Sequence, residues 1–145
     1  MRTIKFRGKA IPCNEWVYGS YVKMENETKT IQRHAIMDVA DTDNKFIKSG
    51  KDYQMSLSVV EKNTIGQFTC LHDKNGKEIY EGDIVKYLSY AREEVGYIGF
   101  HARSASFRVI AEHTDYGIGN RGELHELELE VIGNIYDNPE LLKEK

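Results

Sequence analysis

From Thr64 to Tyr87 the chain reads Thr-Ile-Gly-Gln-Phe-Thr-Cys-Leu-His-Asp-Lys-Asn-Gly-Lys-Glu-Ile-Tyr-Glu-Gly-Asp-Ile-Val-Lys-Tyr. No other stretch limits the fold so strongly. Asn75-Gly76 is the dipeptide best able to hold positive φ at both central positions of a two-residue turn. With apolar-containing runs on either side, it predicts a β-hairpin. Glu81-Gly82-Asp83 then turns the chain again into Ile84-Val85-Lys86-Tyr87, a β-branched and aromatic run suited to a pleated surface. Asp83 is expected to accept a backbone N–H inside its own turn, with Glu78 and Glu81 in solvent.

Period-two alternation continues on both sides of this segment. Between Arg2 and Lys9, Ile4 and Phe6 share one face and Lys5, Arg7 and Lys9 the other, the pattern of a half-buried strand. Glu15 to Met24 reads as a second strand, with Val17, Gly19 and Tyr21 opposite Trp16, Tyr18 and Val22. Thr30 to Val39 fits a helix about as well as a strand, and its surroundings favour the strand. Asp41 to Asp52 is polar and glycine-containing, which predicts a loop. Leu57-Ser58-Val59 reads as a short strand, and Glu61-Lys62-Asn63 as one turn.

Ile84 to Tyr90, Tyr97 to Phe100 and Phe107 to His113 add three strands. From Glu126 to Ile135, Leu127, Leu129, Val131 and Ile135 face one way and Glu126, Glu128 and Glu130 the other, with the outer face turning apolar at Ile132. Asn138-Pro139-Glu140 carries a cap, a first-position proline and an acidic first turn, so a short C-terminal helical turn is expected. Many short strands without crossover helices predict a mainly β protein with antiparallel sheets. The whole of 1–145 is read as a single domain with lobes 1–63 and 64–145. The first is an N-terminal β lobe and the second a small SH3-like pseudo-barrel.

Four stretches together resemble the YopX family. They are Ile4-Lys5-Phe6-Arg7-Gly8-Lys9 followed by Trp16-Val17-Tyr18-Gly19, the central Gly66-Gln67-Phe68-Thr69, the hairpin segment above, and the tail from Glu130 to Leu142. The resemblance spans nearly the whole chain. It implies an origin in bacteriophages and prophages and brings no catalytic residue with it. The departure is Cys70, where the family pattern leads one to expect a small residue such as glycine.

Length and composition narrow the function classes. The chain has 145 residues, enough to bury roughly two thirds of its unfolded surface. With 40% hydrophobic and 30% charged residues it lies far from the disordered class. A formal charge of −3 argues against a surface built throughout for phosphate, though not against a local basic patch. No run approaches the roughly 18 apolar residues of a membrane span, and the N-terminus lacks an apolar signal core, so the expected compartment is the cytoplasm, which the family resemblance implies is that of a bacterial host. Cys13 and Cys70 stand in no close-spaced motif, which implies neither a disulfide framework nor a thiolate metal site.

Candidate chemistry is thin. Gly117-Ile118-Gly119-Asn120-Arg121-Gly122 matches a dinucleotide fingerprint in letters, but strand-like alternation follows it where a helix is required, so no cofactor is expected. His34, His72, His101, His113 and His125 show no metal-type spacing. No Ser-His-Asp or Cys-His pattern supports nucleophilic catalysis. The stripe Lys5, Arg7 and Lys9, with Trp16 and Tyr18 nearby, is the best binding candidate. Cations tracking phosphates and rings stacking on bases are what a nucleic-acid groove uses, and the same pattern also protects an edge strand.

Nine tyrosines, an alternating Phe107 strand and the apolar outer positions Ile132 and Tyr136 point to a homo-oligomer surface. The expectation is a non-enzymatic binding or assembly module. The alternative is a nucleic-acid-binding accessory protein, and the third choice a small hydrolase.

Overall fold

The computed structural model describes residues 3–30, 32–40, 54–111, 115–118 and 128–143. The expected loop at Asp41 to Asp52 and most of the glycine-rich stretch after Ile118 lie outside them. Two compact units are present, one of Ile4–Ile65 and one of Gly66–Lys145 with Met1–Thr3. Both are built from antiparallel strands.

In the N-terminal unit, β1 (Phe6–Lys9), β2 (Trp16–Glu25), β3 (Gln32–Ala40) and β4 (Gln54–Val59) lie in the order β4-β3-β2-β1. The ambiguous segment after Thr30 is therefore a strand. Sheet pairing with β2 and β4 on both sides outweighs its mixed local pattern. Phe6 pairs with Gly19 and turns its ring to Tyr21, centroids 5.7 Å apart. Tyr21 in turn stacks on His34 and shares a 2.7 Å hydrogen bond with its Nδ1. At Gly19 the β3 backbone comes so close that a Cβ would stand 2.2 Å from the Met37 carbonyl oxygen. Only glycine fits there.

Past the ends of β1 and β4 the chain is joined once more. Ala10, just past β1, bridges Val60, just past β4, with Ile11 N–H donating to Val59 O at 3.0 Å and Glu61 N–H to Lys9 O at 2.9 Å. A 3-10 turn, Lys62–Thr64, follows, and the Thr64 hydroxyl locks it by accepting from Lys9 N–H and donating to Glu61 O.

The C-terminal unit contains β5 (Gly66–His72), β6 (Glu78–Tyr80), β7 (Asp83–Ser89), β8 (Arg92–His101), β9 (Ser106–Ile110), β10 (Asp115–Gly117) and β11 (Glu130–Asn134). The last five form one sheet in the order β10-β9-β8-β7-β11. Its inner face supplies Val85, Tyr87, Ile98 and Val109, which are buried together with Leu129 and with Ile79 of the β5–β6 hairpin. Leu129 and Val131 face this core, as the alternation predicts, but the described strand is shorter than Glu126 to Ile135. Its pairing with β7 shifts between Val131 and Gly133, so Ile132 is a bulge. A bulge bends its strand and ends regular pairing.

The SH3-like pseudo-barrel expected for 64–145 is not found. Among the described residues β10 and β11 are the two edges of an open sheet, and no barrel closes. Closure needs a seam of ladder hydrogen bonds between edge strands. Here β10 has three residues, and β11 bends away at its bulge into the C-terminal segment.

Two turns differ in detail from expectation. At Asn75-Gly76 only Gly76 has positive φ, +81°. Asp73 N–H donates to Lys77 O and Gly76 N–H to Asp73 O, which makes a three-residue loop ending in one left-handed residue. At the C-terminus Pro139–Leu142 winds a single 3-10 turn, and Asn138 makes no side-chain cap. Its Oδ1 accepts instead from Asn134 N–H at 3.4 Å. Among the described residues no helix is long and apolar enough to cross a membrane.

Candidate binding surfaces

Because β1 and β2 are antiparallel neighbours, residues alternating along each arrive on a common face. Arg7 stands opposite Tyr18 and Lys9 opposite Trp16. Lys5 Nζ lies 5.6 Å from the Tyr18 ring centroid, Arg7 Cζ 4.6 Å from that of Trp16 and Lys9 Nζ 5.8 Å from the same ring. These are cation–π distances, and the guanidinium is the closest. Arg7 is buried, Lys5, Lys9 and Trp16 are half-buried, and Tyr18 is exposed. The five residues singled out in the sequence thus form one ordered row, on the face opposite Phe6 and Tyr21. The parity expected for Phe6 against Lys5, Arg7 and Lys9 holds, while Ile4 is largely in solvent.

The three positions expected at an oligomer surface are all half-buried. Phe107 packs against the core cluster and meets Phe100 edge to face, centroids 5.4 Å apart. Ile132 is the bulge. The Tyr136 ring lies over Gly82, its Cε2 3.0 Å from where a Cβ would be.

Near the turns, Asp73, Glu81 and Asp83 serve the backbone. Asp83 accepts Tyr80 N–H at 2.8 Å, as expected of its turn. Glu81 accepts Gln67 N–H, and Glu78 accepts the Tyr80 hydroxyl, so both are engaged rather than simply solvated. Asp73 does most. Only 2% exposed, it accepts N–H bonds from Asn75 and Lys77 on one oxygen and from Val131, 58 residues away, on the other. Burial works to raise its pKa, but the Val131, Lys77 and Asn75 amides, helped by the Lys77 ammonium, bring it below the ordinary 3.8. Beside it, Glu130 is held below its ordinary value by a hydrogen bond from Lys74, with Lys86 adding to the attraction and desolvation opposing it.

Other groups from the sequence reading are placed individually. His34 is buried against Tyr21, His72 is exposed and His101 half-buried, sharing a hydrogen bond with Ser104. His113 and His125 lie outside the described residues. Among the described residues no group of three or more His, Cys, Asp or Glu side chains could hold a metal ion. Gly117 closes β10, and the rest of the apparent fingerprint is not described beyond Ile118. Cys13 and Cys70 are both free thiols. Cys70, the departure from the family pattern, sits at φ +69°, a left-handed conformation that glycine adopts without strain.

The sequence reading missed the most exposed apolar side chains of the C-terminal unit. Leu88 is 61%, Tyr90 96% and Phe100 50% exposed. Tyr90 belongs to a two-residue turn between Ser89 and Arg92, not to a strand. Its signal was the abrupt change from apolar alternation to Arg92-Glu93-Glu94, which marks chain entering solvent even without Gly, Asn or Pro.

A family model described as YopX protein matches residues 5–143. Among solved structures, the crystal structure of protein EF1440 from Enterococcus faecalis is similar at 22% identity and a TM-score of 0.47, over 98% of this chain and 99% of that one. No curated protein matches the chain.

Proposed function

The chain belongs to the YopX family, and from that premise we propose a non-enzymatic binding or assembly module of phage or prophage type that associates with itself. One observation carries this reading. In the C-terminal unit Asp73, Glu81 and Asp83 are committed to backbone amides, whereas Leu88, Tyr90 and Phe100 are left in water. Leu88 and Tyr90 stand two residues apart at one hairpin tip, and exposed apolar side chains clustered in this way support contact with a partner. The free thiols of Cys13 and Cys70 fit a reducing compartment, the host cytoplasm. Sedimentation equilibrium across tens to hundreds of micromolar protein tests the reading. The expected result is a mass rising above that of one chain, and a single-chain mass throughout overturns it.

The row of Lys5, Arg7 and Lys9 over Trp16 and Tyr18 favours a second reading, an accessory protein that binds nucleic acid. Alternate positions on a strand recur about every 6.6 Å, which spaces cations along an extended phosphate backbone. Retention on heparin or single-stranded DNA that falls steeply with salt supports this reading, and retention unaffected by salt removes it.

A further inference from the structure

The turn joining β7 to β8 breaks a local rule. Ser89 pairs with Arg92, leaving Tyr90 and Ala91 as the whole loop, at φ +48° and +63°. Positive φ at both central positions defines the primed turn whose twist matches the flanking strands, and Asn-Gly is the pair that forms it without strain. Tyr and Ala are poor choices for that backbone, because each carries a Cβ against the left-handed region. No internal contact compensates at Tyr90, which is 96% exposed. Local rules broken without an internal return are expected at functional sites.

We propose that this hairpin tip is the contact through which two copies of the chain pair about a twofold axis, each Tyr90 ring packing on Leu88 of the other copy. The inference rests on the self-association reading above. Charge selects a second copy as the occupant. Among the described residues Arg92 forms no ion pair, and next to it Glu93 keeps its side chain 69% exposed although Lys86 Nζ lies 3.3 Å away. A twofold axis through the tip sets Arg92 of one copy toward Glu93 of the other, twice, because adjacent opposite charges are self-complementary under that operation. Glu93 and its neighbour Glu94 offset the charges of Lys86 and Arg92, so the tip offers phosphate no net attraction, which disfavours nucleic acid or an anionic membrane there.

Tyrosine and arginine are among the residue types enriched at the energetic centres of interfaces. One hairpin tip falls short of the roughly 800 Å² per partner of a stable complex, so the dimer is weak and forms only at high concentration.

The test is sedimentation equilibrium and a thermal melt on the full-length chain and on the double variant Tyr90→Asn/Ala91→Gly. This variant relieves the turn while removing the ring. The expected result is a dimer whose dissociation constant rises about tenfold or more in the variant, together with a melting temperature a few degrees higher. A misfolded variant cannot give that pair of opposite changes. An unchanged dissociation constant in a variant that melts no lower overturns the tip as the contact and leaves self-association standing. A native chain that remains a single chain at every concentration overturns both. Tyr90→Phe, which keeps the ring, is expected to retain the dimer.

Discussion

Two hairpin turns of the C-terminal unit solve one problem in opposite ways. The β5–β6 turn, Asp73 to Lys77, puts its single positive φ on Gly76 and ties its amides to a buried carboxylate. The β7–β8 turn, Ser89 to Arg92, puts two positive φ values on Tyr and Ala and leaves the larger side chain in water. The first turn is internally complete: its residues suit its backbone, and Asp73 fastens it to β11 through Val131. The second is locally strained and outwardly directed. Turn chemistry thus separates a turn that holds the fold together from one whose side chains are available to a partner.

The largest effect should come from the carboxylate. Asp73→Ala strands three amides in a partly buried site, at a loss of about 3 kcal/mol. That corresponds to a fall of roughly 6–12 °C in melting temperature. A melt unchanged by this substitution would erase the contrast between the turns.

The same group sets an acid limit. Its pKa in the fold lies below the unfolded value, so its stabilisation is complete above about pH 4. It is lost as pH falls through the folded value. Denaturant melts at pH 7 and pH 3 should show this loss, and Asp73→Asn should flatten it. Glu130, also lowered, titrates in the same direction and leaves a smaller residual slope in that variant.

Gly76→Val sharpens the comparison further. A Cβ at Gly76 would meet nothing within 4 Å, so only left-handed strain remains, about 1–2 kcal/mol by thermal melt. The smallest change is expected at Cys70, where Cys70→Gly should stabilise by about 0.5 kcal/mol, since it places at φ +69° the residue that tolerates it. A loss of stability there would show that the Sγ contact to the Thr3 carbonyl, 3.1 Å, outweighs the backbone strain.

Much of the architecture was legible because its signals are local. Side-chain parity along a strand depends only on the backbone period, so Phe6 against Lys5, Arg7 and Lys9, and Leu129 with Val131 toward the core, could be read directly. The cation–aromatic row was within reach for the same reason. Its two strands are adjacent in the chain, and alternation along each puts the cations of one and the rings of the other on a single side. The Gly82 turn and the Asp83 bond to Tyr80 are likewise properties of a few consecutive residues.

What the sequence determined by itself, then, was strand identity, the two faces and the places where glycine marks a turn. Tertiary structure alone decided which strands pair and where pairing stops. The Ala10–Val60 bridge, the bulge at Ile132 and the open sheet in place of a barrel follow from long-range register, which no short window of residues specifies. The bond from Val131 to Asp73 spans 58 residues and turns an apparently ordinary aspartate into the anchor of a unit. Tyr90 and Ala91 take conformations that neither residue prefers, because the six-pair ladder from Ile84↔Tyr97 to Ser89↔Arg92 leaves only two residues to reverse the chain. Cooperative pairing along two strands outweighs the preference of the two residues between them.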